Sequence, residues 1–152
     1  MLGCMGCHLT CINSVYTTHS TQLAQRVDGW WVRKGACVTT PAFGFSISPG
    51  TASGVATESR EAERLGYARI GIWDSPALFR EPWVVLAAMA RDTNEIAIGT
   101  WVTNPLSRHP VVTASALASL DELAPGRVYL GIGTGGTGVL HLGLEAASLA
   151  QL

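Results

Sequence analysis

A glycine-rich segment near the carboxyl end carries the clearest chemical pattern in the chain. Gly131, Gly133 and Gly136 match the G-x-G-x-x-G fingerprint of dinucleotide-binding turns, and Thr134 and Thr137 lie among them. Backbone N–H groups of such a loop can hold a phosphate or a flat ring. The dinucleotide-binding hypothesis expects this loop after the first strand, whereas here it follows the fourth predicted strand. A tight turn without a ligand is the alternative interpretation.

Three polar side chains stand out between residues 70 and 110. Asp74 follows an apolar run and could contact a cofactor or carry a proton, or it could simply form a turn. His109 precedes Pro110, a position typical of a helix cap, with a catalytic role as the alternative. Arg108 could contact an anion, but a solvated charge is the prediction. The spacings in 41–152 indicate no nucleophile–base arrangement.

The first forty residues offer a second set of candidate ligands. Cys4, Cys7 and His8 form the C-x-x-C-H pattern of c-type haem attachment. With Cys11 they could instead hold zinc. These donors are crowded together, and no basic segment typical of an export signal precedes them. The third interpretation, a poorly ordered extension over 1–40, is the one we adopt, so no metal ligand is predicted.

Residues 41–152 are predicted to form a separate domain of repeated strand–helix units. They contain no cysteine and no lysine, whereas residues 1–40 hold all four cysteines and the single lysine. Near-continuous apolar runs indicate buried parallel strands, and their alternation with helices indicates βαβ units. The predicted strands are 43–48, 67–73, 96–102 and 128–132; the predicted helices are 59–65, 82–91 and 110–123, with a fourth beginning near Glu145.

Polar residues and glycines follow the predicted strands at their carboxyl ends. Ser48, Asp74, Thr103 and Asn104 lie at such positions, as does the segment 133–137. In α/β folds with parallel strands this edge of the sheet binds ligands. We therefore expect the functional site there.

Composition and charge exclude several classes of function. Of 152 residues, 47% are hydrophobic and only 14% are charged, which excludes a disordered chain. The formal net charge of −1 gives no electrostatic footprint for nucleic acid or for an anionic membrane. No apolar run reaches the roughly 18 residues of a membrane span. These features favour a cytoplasmic protein that acts on a small molecule.

Two segments resemble the luciferase-like monooxygenase superfamily. The first is Ile-Gly-Thr-Trp-Val-Thr-Asn-Pro at 98–105 with Ser-Arg-His-Pro at 107–110, and the second runs from Leu120 to Gly135. The chain is most similar to the deazaflavin-dependent branch, which includes methylenetetrahydromethanopterin reductases, over 43–152. The resemblance implies the N-terminal half of a TIM (β/α)8 barrel, with coenzyme F420 or FMN at the carboxyl edge of its strands.

The resemblance also implies roles for individual residues. In the family, the end of the third strand holds a bulge with a non-prolyl cis peptide that supports the cofactor ring, and this falls on Trp101–Val102. Asp74 matches an aspartate that lies near the cofactor and is the candidate catalytic residue. The chain departs from the family at Trp101, Ser75 and Gly136, where a small residue, a histidine and an acidic residue are usual. The implied cofactor contacts are Thr100, Trp101, Val102, Thr103, Asn104, Gly133, Thr134 and Gly135.

Together these features predict a truncated oxidoreductase that uses coenzyme F420 or FMN. Its reaction would be hydride transfer or monooxygenation of an organic substrate. The alternatives are a non-catalytic truncated product and a Rossmann-type nucleotide-binding domain. Because four strands leave two unpaired edges, two copies could also close into an eight-stranded barrel, which makes a homodimer an expectation.

Overall fold

A computed structural model of the chain describes residues 24–27, 30–33 and 42–152. Strands β1 (Ala24–Val27) and β2 (Trp30–Arg33) pair in antiparallel fashion, a pairing that the sequence pattern did not predict. The proposed haem and zinc ligands Cys4, Cys7, His8 and Cys11 lie outside the described residues. The interpretation of 1–40 as a poorly ordered extension therefore stays a prediction.

Four parallel strands form the sheet that positions the site. They are β3 (Gly44–Ile47), β4 (Arg69–Ile72), β5 (Ala97–Thr103) and β6 (Val128–Ile132), and they lie side by side in chain order. The helices are α1 (Ala52–Arg64), α2 (Pro82–Asp92), α3 (Pro110–Leu123) and α4 (Thr137–Leu140), with a 3₁₀ turn at Leu149–Gln151. The predicted succession of βα units is confirmed.

Two helix predictions were wrong, one in its start and one in its position. Helix α1 begins seven residues before the predicted start, because the Thr51 hydroxyl caps it by accepting a hydrogen bond from the N–H of Gly54 (3.2 Å). The helix expected near Glu145 is absent from residues 141–148; the chain instead forms α4 directly after the glycine-rich loop. There the fully buried Val139 attaches α4 to the domain.

The core lies between the sheet and the helices. Alternate residues of β4 and β5 face this side, and Ile70, Ile72 and Ile98 are fully buried there, against Leu86 and Met89 of α2. Such an arrangement follows from the period of two along a strand. Within the described ranges, no helix is long and apolar enough to cross a bilayer.

The Glu63 side chain of α1 binds the backbone just before β5, at the amino edge of the sheet. Its Oε2 atom accepts hydrogen bonds from three consecutive backbone N–H groups, those of Asn94, Glu95 and Ile96, at 2.7–2.9 Å. Burial raises the pKa of Glu63, but these three N–H groups outweigh it and hold the pKa below its ordinary value. The ionised carboxylate therefore fixes the start of β5.

The substitution Glu63→Gln is expected to lower the free energy of unfolding by about 2 kcal/mol at pH 7, because the hydrogen bonds lose their charged acceptor. Since folding lowers the pKa of Glu63, its contribution is present above the ordinary pKa of a glutamate and is lost as the pH falls through the lowered value. Urea unfolding of both proteins should show their difference shrinking towards low pH. Glu58→Gln, on the exposed side of the same helix, is the control and should stay within about 0.5 kcal/mol of wild type at pH 7.

Candidate active site

Asp74 and Thr103 meet at the carboxyl edge of the sheet. Asp74 lies two residues beyond β4, and Thr103 is the last residue of β5. The Thr103 hydroxyl donates a hydrogen bond to Oδ2 of Asp74 over 2.6 Å, and both side chains are buried. The prediction that polar residues after neighbouring strands share this edge is confirmed for this pair.

The surroundings of Asp74 favour its protonated form. Burial raises the pKa of Asp74; the hydrogen bond from Thr103 lowers it, the Glu81 carboxylate raises it and the Arg108 guanidinium lowers it. The balance leaves the pKa above its ordinary value. A carboxyl group with a raised pKa at a ligand-binding edge can hold and release a proton nearer to neutral pH.

The substitution Asp74→Asn should change the pH dependence of stability in a defined direction. Because folding raises the pKa of Asp74, the free energy of unfolding of the wild-type protein decreases as the pH rises from the ordinary pKa to the raised pKa. The free energy of unfolding of the variant, measured in urea, should therefore improve relative to wild type between acid and neutral pH. Thr103→Val removes the donor that favours the ionised carboxylate, so the free energy of unfolding should decrease more strongly as the pH rises. A difference that is constant with pH would contradict this assignment.

A bulge separates β5 from β6 beside this pair. Thr100 pairs with Leu130 and Thr103 with Ile132, so Trp101 and Val102 together face the single residue Gly131. The peptide bond between Trp101 and Val102 is cis, at the position that the family resemblance implies. Both side chains remain more than a third exposed, so the bulge presents them at the open edge.

Val102 of the bulge and Gly133 form an apolar surface at the carboxyl edge of the sheet. A Cβ atom at Gly133 would lie 3.0 Å from Cγ2 of Val102, so the absence of a side chain there leaves the exposed face of Val102 free. We call Val102 and Gly133 the platform. Such an apolar surface bordered by a few polar groups is typical of sites for ring cofactors.

Thr100 and Asn104 support the bulge from within. Both are almost fully buried. The Thr100 hydroxyl donates to the backbone oxygen of Gly131 (2.8 Å), and Oδ1 of Asn104 accepts from the N–H groups of Leu106 and Ser107 (3.0 and 2.8 Å). The structure thus gives these two predicted contact residues a positioning role.

The glycine-rich loop closes over the same edge. Gly135 adopts a φ of +95°, which favours glycine, and the Thr134 oxygen accepts a hydrogen bond from the N–H of Ala147 (2.7 Å). Beyond the loop, the hydroxyls of Ser75 and Thr137 lie 3.2 Å apart.

Because the four-stranded sheet keeps chain order, it has no reversal of strand order of the kind that dinucleotide-binding folds use. The Rossmann hypothesis is therefore wrong for this sheet.

His109 and Arg108 have structural partners. His109 is the N-cap of α3, where Nδ1 accepts from the N–H of Val111 (3.3 Å), so the capping interpretation is confirmed. Arg108 forms an ion pair with Glu81, the N-cap of α2, and its side chain is only 24% exposed. The prediction of a solvated charge was wrong, because Glu81, 27 positions earlier, reaches it across the edge.

The described part of the chain contains no group of three or more histidine, cysteine, aspartate or glutamate side chains that could hold a metal ion.

Sequence reasoning missed Trp73 and Glu81, which border Asp74. Trp73 was predicted only as the last residue of a strand, and Glu81 only as the residue before a helix. Their proximity to the site depends on how β4 and α2 are placed.

The fold and site define a barrel-type α/β protein with a ligand edge at the carboxyl ends of its strands. The sequence model of the family described as luciferase-like monooxygenase matches residues 33–144. The chain therefore belongs to the luciferase-like monooxygenase family. Its four βα units are the N-terminal half of a TIM barrel, as predicted.

Similar proteins include two reductases and a dehydrogenase. The 5,10-methylenetetrahydromethanopterin reductase of Methanolobus tindarius is 38% identical over 81 residues, 53% of this chain and 24% of the relative. The F420-dependent hydroxymycolic acid dehydrogenase of Mycobacterium tuberculosis is 53% identical over 55 residues, 36% and 15% of the two chains. The coenzyme F420 dependent tetrahydromethanopterin reductase of Methanopyrus kandleri superposes with a TM-score of 0.65 at 32% identity, over 68% of this chain and 30% of that one. The chain thus spans less than a third of each of these proteins.

Proposed function

We propose that this chain supplies the coenzyme-binding edge of an oxidoreductase that uses coenzyme F420 and transfers a hydride to or from an organic substrate. The observation that carries the proposal is the exposed platform of Val102 and Gly133 beside the buried Asp74–Thr103 pair. The names of the Mycobacterium tuberculosis and Methanopyrus kandleri relatives, both of which state dependence on F420, support this coenzyme. FMN, with monooxygenation as the reaction, is the alternative.

The residues of this chain would bind the ring and control a proton. The coenzyme itself would supply the hydride chemistry. Val102 and Gly133 would support the ring by apolar contact, while Thr100 and Asn104 keep the bulge in place. Asp74 would hold a proton on its carboxyl group, and the Thr103 hydroxyl would fix the orientation of that group.

The test is a titration of the full chain, sorted by size-exclusion chromatography, with coenzyme F420 and separately with FMN. Coenzyme fluorescence should change saturably with F420. Val102→Asp places a charge on the platform and should weaken binding at least about tenfold. Val112→Asp, which changes a more exposed valine on α3 (48% against 37% for Val102), should leave binding unchanged.

Each outcome decides between the candidate functions. Saturable binding of FMN alone would favour the monooxygenase alternative over F420-dependent hydride transfer. Binding of neither coenzyme would overturn the proposal and favour a non-catalytic chain. Equal weakening by both aspartate substitutions would show that binding does not depend on the platform.

We also propose that two copies of the chain associate through the sheet edges. Within the four-stranded sheet, β3 and β6 each pair with one neighbour only, and an unpaired edge is a template for another strand. A two-fold axis along the barrel would set β6 of one copy parallel to β3 of the other. Light scattering should then give twice the chain mass of 16.0 kDa; a monomer that binds coenzyme saturably would contradict the proposal.

A further inference from the structure

Two contacts between side chains tie together the loops that follow β4 and β5. At the strand ends, the Thr103 hydroxyl donates to Oδ2 of Asp74 over 2.6 Å. At the helix starts, Nη2 of Arg108 donates to Oε1 of Glu81 and forms an ion pair. One loop runs from β4 to α2 and the other from β5 to α3, so each loop is attached to the other near both of its ends.

The segments between these two contacts are short and hydrogen-bonded within themselves. In the first loop, the backbone oxygen of Ser75 accepts from the N–H groups of Leu78 and Phe79 (2.9 and 3.0 Å). In the second, Oδ1 of the buried Asn104 accepts from the N–H groups two and three residues later. These hydrogen bonds hold the ion pair at a fixed position relative to the Asp74 carboxyl group.

The ion pair is poorly built for stability. The Arg108 side chain is largely shielded from water, yet its one hydrogen bond within the described residues goes to Glu81. Its buried Nε atom has no acceptor there. A shielded cation with an unsatisfied donor loses hydration without full compensation, whereas the guanidinium of Arg127 donates four hydrogen bonds. The contrast indicates that Arg108 serves the electrostatics of the site.

The charged groups that act on Asp74 are the two members of this pair. Burial raises the pKa of Asp74 most and the hydrogen bond from β5 lowers it; the Glu81 carboxylate then raises the pKa and the Arg108 guanidinium lowers it. Helix α4 approaches Asp74 through the backbone at Gly138, which carries no charge. The ring of His109 is engaged in capping α3.

We propose that Glu81 and Arg108 are a positioning pair that sets how tightly Asp74 holds its proton, the glutamate favouring retention and the arginine favouring release. Because the two charges are opposite and fixed, each partly cancels the effect of the other on the carboxyl group. This inference rests on the proposed function, in which Asp74 carries a proton at the coenzyme edge. It adds two residues that act through Asp74 and lie outside the platform.

The test is a pH titration of the ¹³C-labelled full chain without coenzyme, in which NMR follows the side-chain carboxyl signal that Asp74→Asn removes. Arg108→Met leaves the Glu81 carboxylate alone and should raise the pKa of Asp74. Glu81→Gln leaves the guanidinium alone and should lower it. The double variant removes both charges and should fall between the two single variants, and Arg108→Lys, which keeps the charge, should stay near wild type.

The signs of the two shifts separate this role from a structural one. Both single variants break the same contact, so a purely structural role would move the pKa of Asp74 in the same direction in both. That result, or no shift in either, would overturn the inference. If one single variant fails to fold, the difference between the other and the double variant gives the same test of sign. Arg60→Met, which breaks the exposed ion pair with Asp92, is the control and should leave the titration unchanged.

Titration of the wild-type chain with coenzyme F420 separates this inference from the proposed function. Opposite shifts in a chain that does not bind F420 would refute the proposed function and still support the control of Asp74 by the pair. Shifts of the same sign in a chain that binds F420 would overturn the inference and leave the proposed function intact.

Discussion

Replacing Arg127 by methionine is expected to lower the free energy of unfolding by about 3 kcal/mol, the largest effect of any substitution considered. The guanidinium donates four hydrogen bonds of 3.0–3.2 Å, to the Thr93 hydroxyl and to the backbone oxygens of Ala90, Thr93 and Ile96. These acceptors belong to the end of α2 and the start of β5, while Arg127 directly precedes β6. Methionine preserves the apolar stem but leaves partly buried acceptors without a donor.

Urea unfolding monitored by circular dichroism measures this effect. Arg91→Met, an exposed arginine in the last turn of α2, is the control and should stay within about 0.5 kcal/mol of wild type. Arg127→Lys should fall between the two, since one ammonium group cannot reach all four acceptors. A methionine variant as stable as wild type would show that these hydrogen bonds are replaced by water at no cost.

The substitution Gly138→Ala should disturb both stability and the site. A Cβ atom at Gly138 would lie 2.5 Å from the backbone oxygen of Asp74. Because backbone atoms cannot rotate away as a side chain can, α4 would have to move off the end of β4. We expect a loss of about 2 kcal/mol in the free energy of unfolding. We also expect coenzyme binding to weaken about tenfold, because the Asp74 main chain positions the carboxyl group that Thr103 contacts.

Gly136→Ala provides the matched control for this experiment. It lies two residues earlier, at the N-cap of α4, and a Cβ atom there would meet nothing within 4 Å. Urea unfolding and F420 titration of both variants should show a loss for position 138 alone. Similar losses in both would mean that this segment requires glycine for its backbone conformation and not for close approach to Asp74.

The strands were predictable because they are near-continuous apolar runs bounded by turn residues. The apolar runs around Ile70 and Ile98 placed β4 and β5 to within a few residues. The start of α1 was not predictable from helix propensity, since Ser53 and Gly54 are poor helix formers and the Thr51 cap outweighs them. A local capping hydrogen bond therefore set that helix end.

The site was predictable where it depends on strand ends and unpredictable where it depends on helix placement. Asp74 and Thr103 meet because parallel strands bring their carboxyl ends to one edge. The bulge at Trp101 and Val102 was indicated by family resemblance alone, because no periodicity reveals two residues facing one. The Arg108–Glu81 ion pair needed the relative positions of α2 and the loop before α3, which the sequence pattern does not contain.

The contacts that hold the sheet together and those that would serve chemistry lie at opposite ends of the strands. Glu63 and Arg127 anchor the amino edge, whereas Asp74, Thr103 and the platform occupy the carboxyl edge. Selection can therefore change residues such as Trp101 without weakening the anchors. The stability of this half-barrel and the chemical character of its rim can thus evolve largely independently of each other.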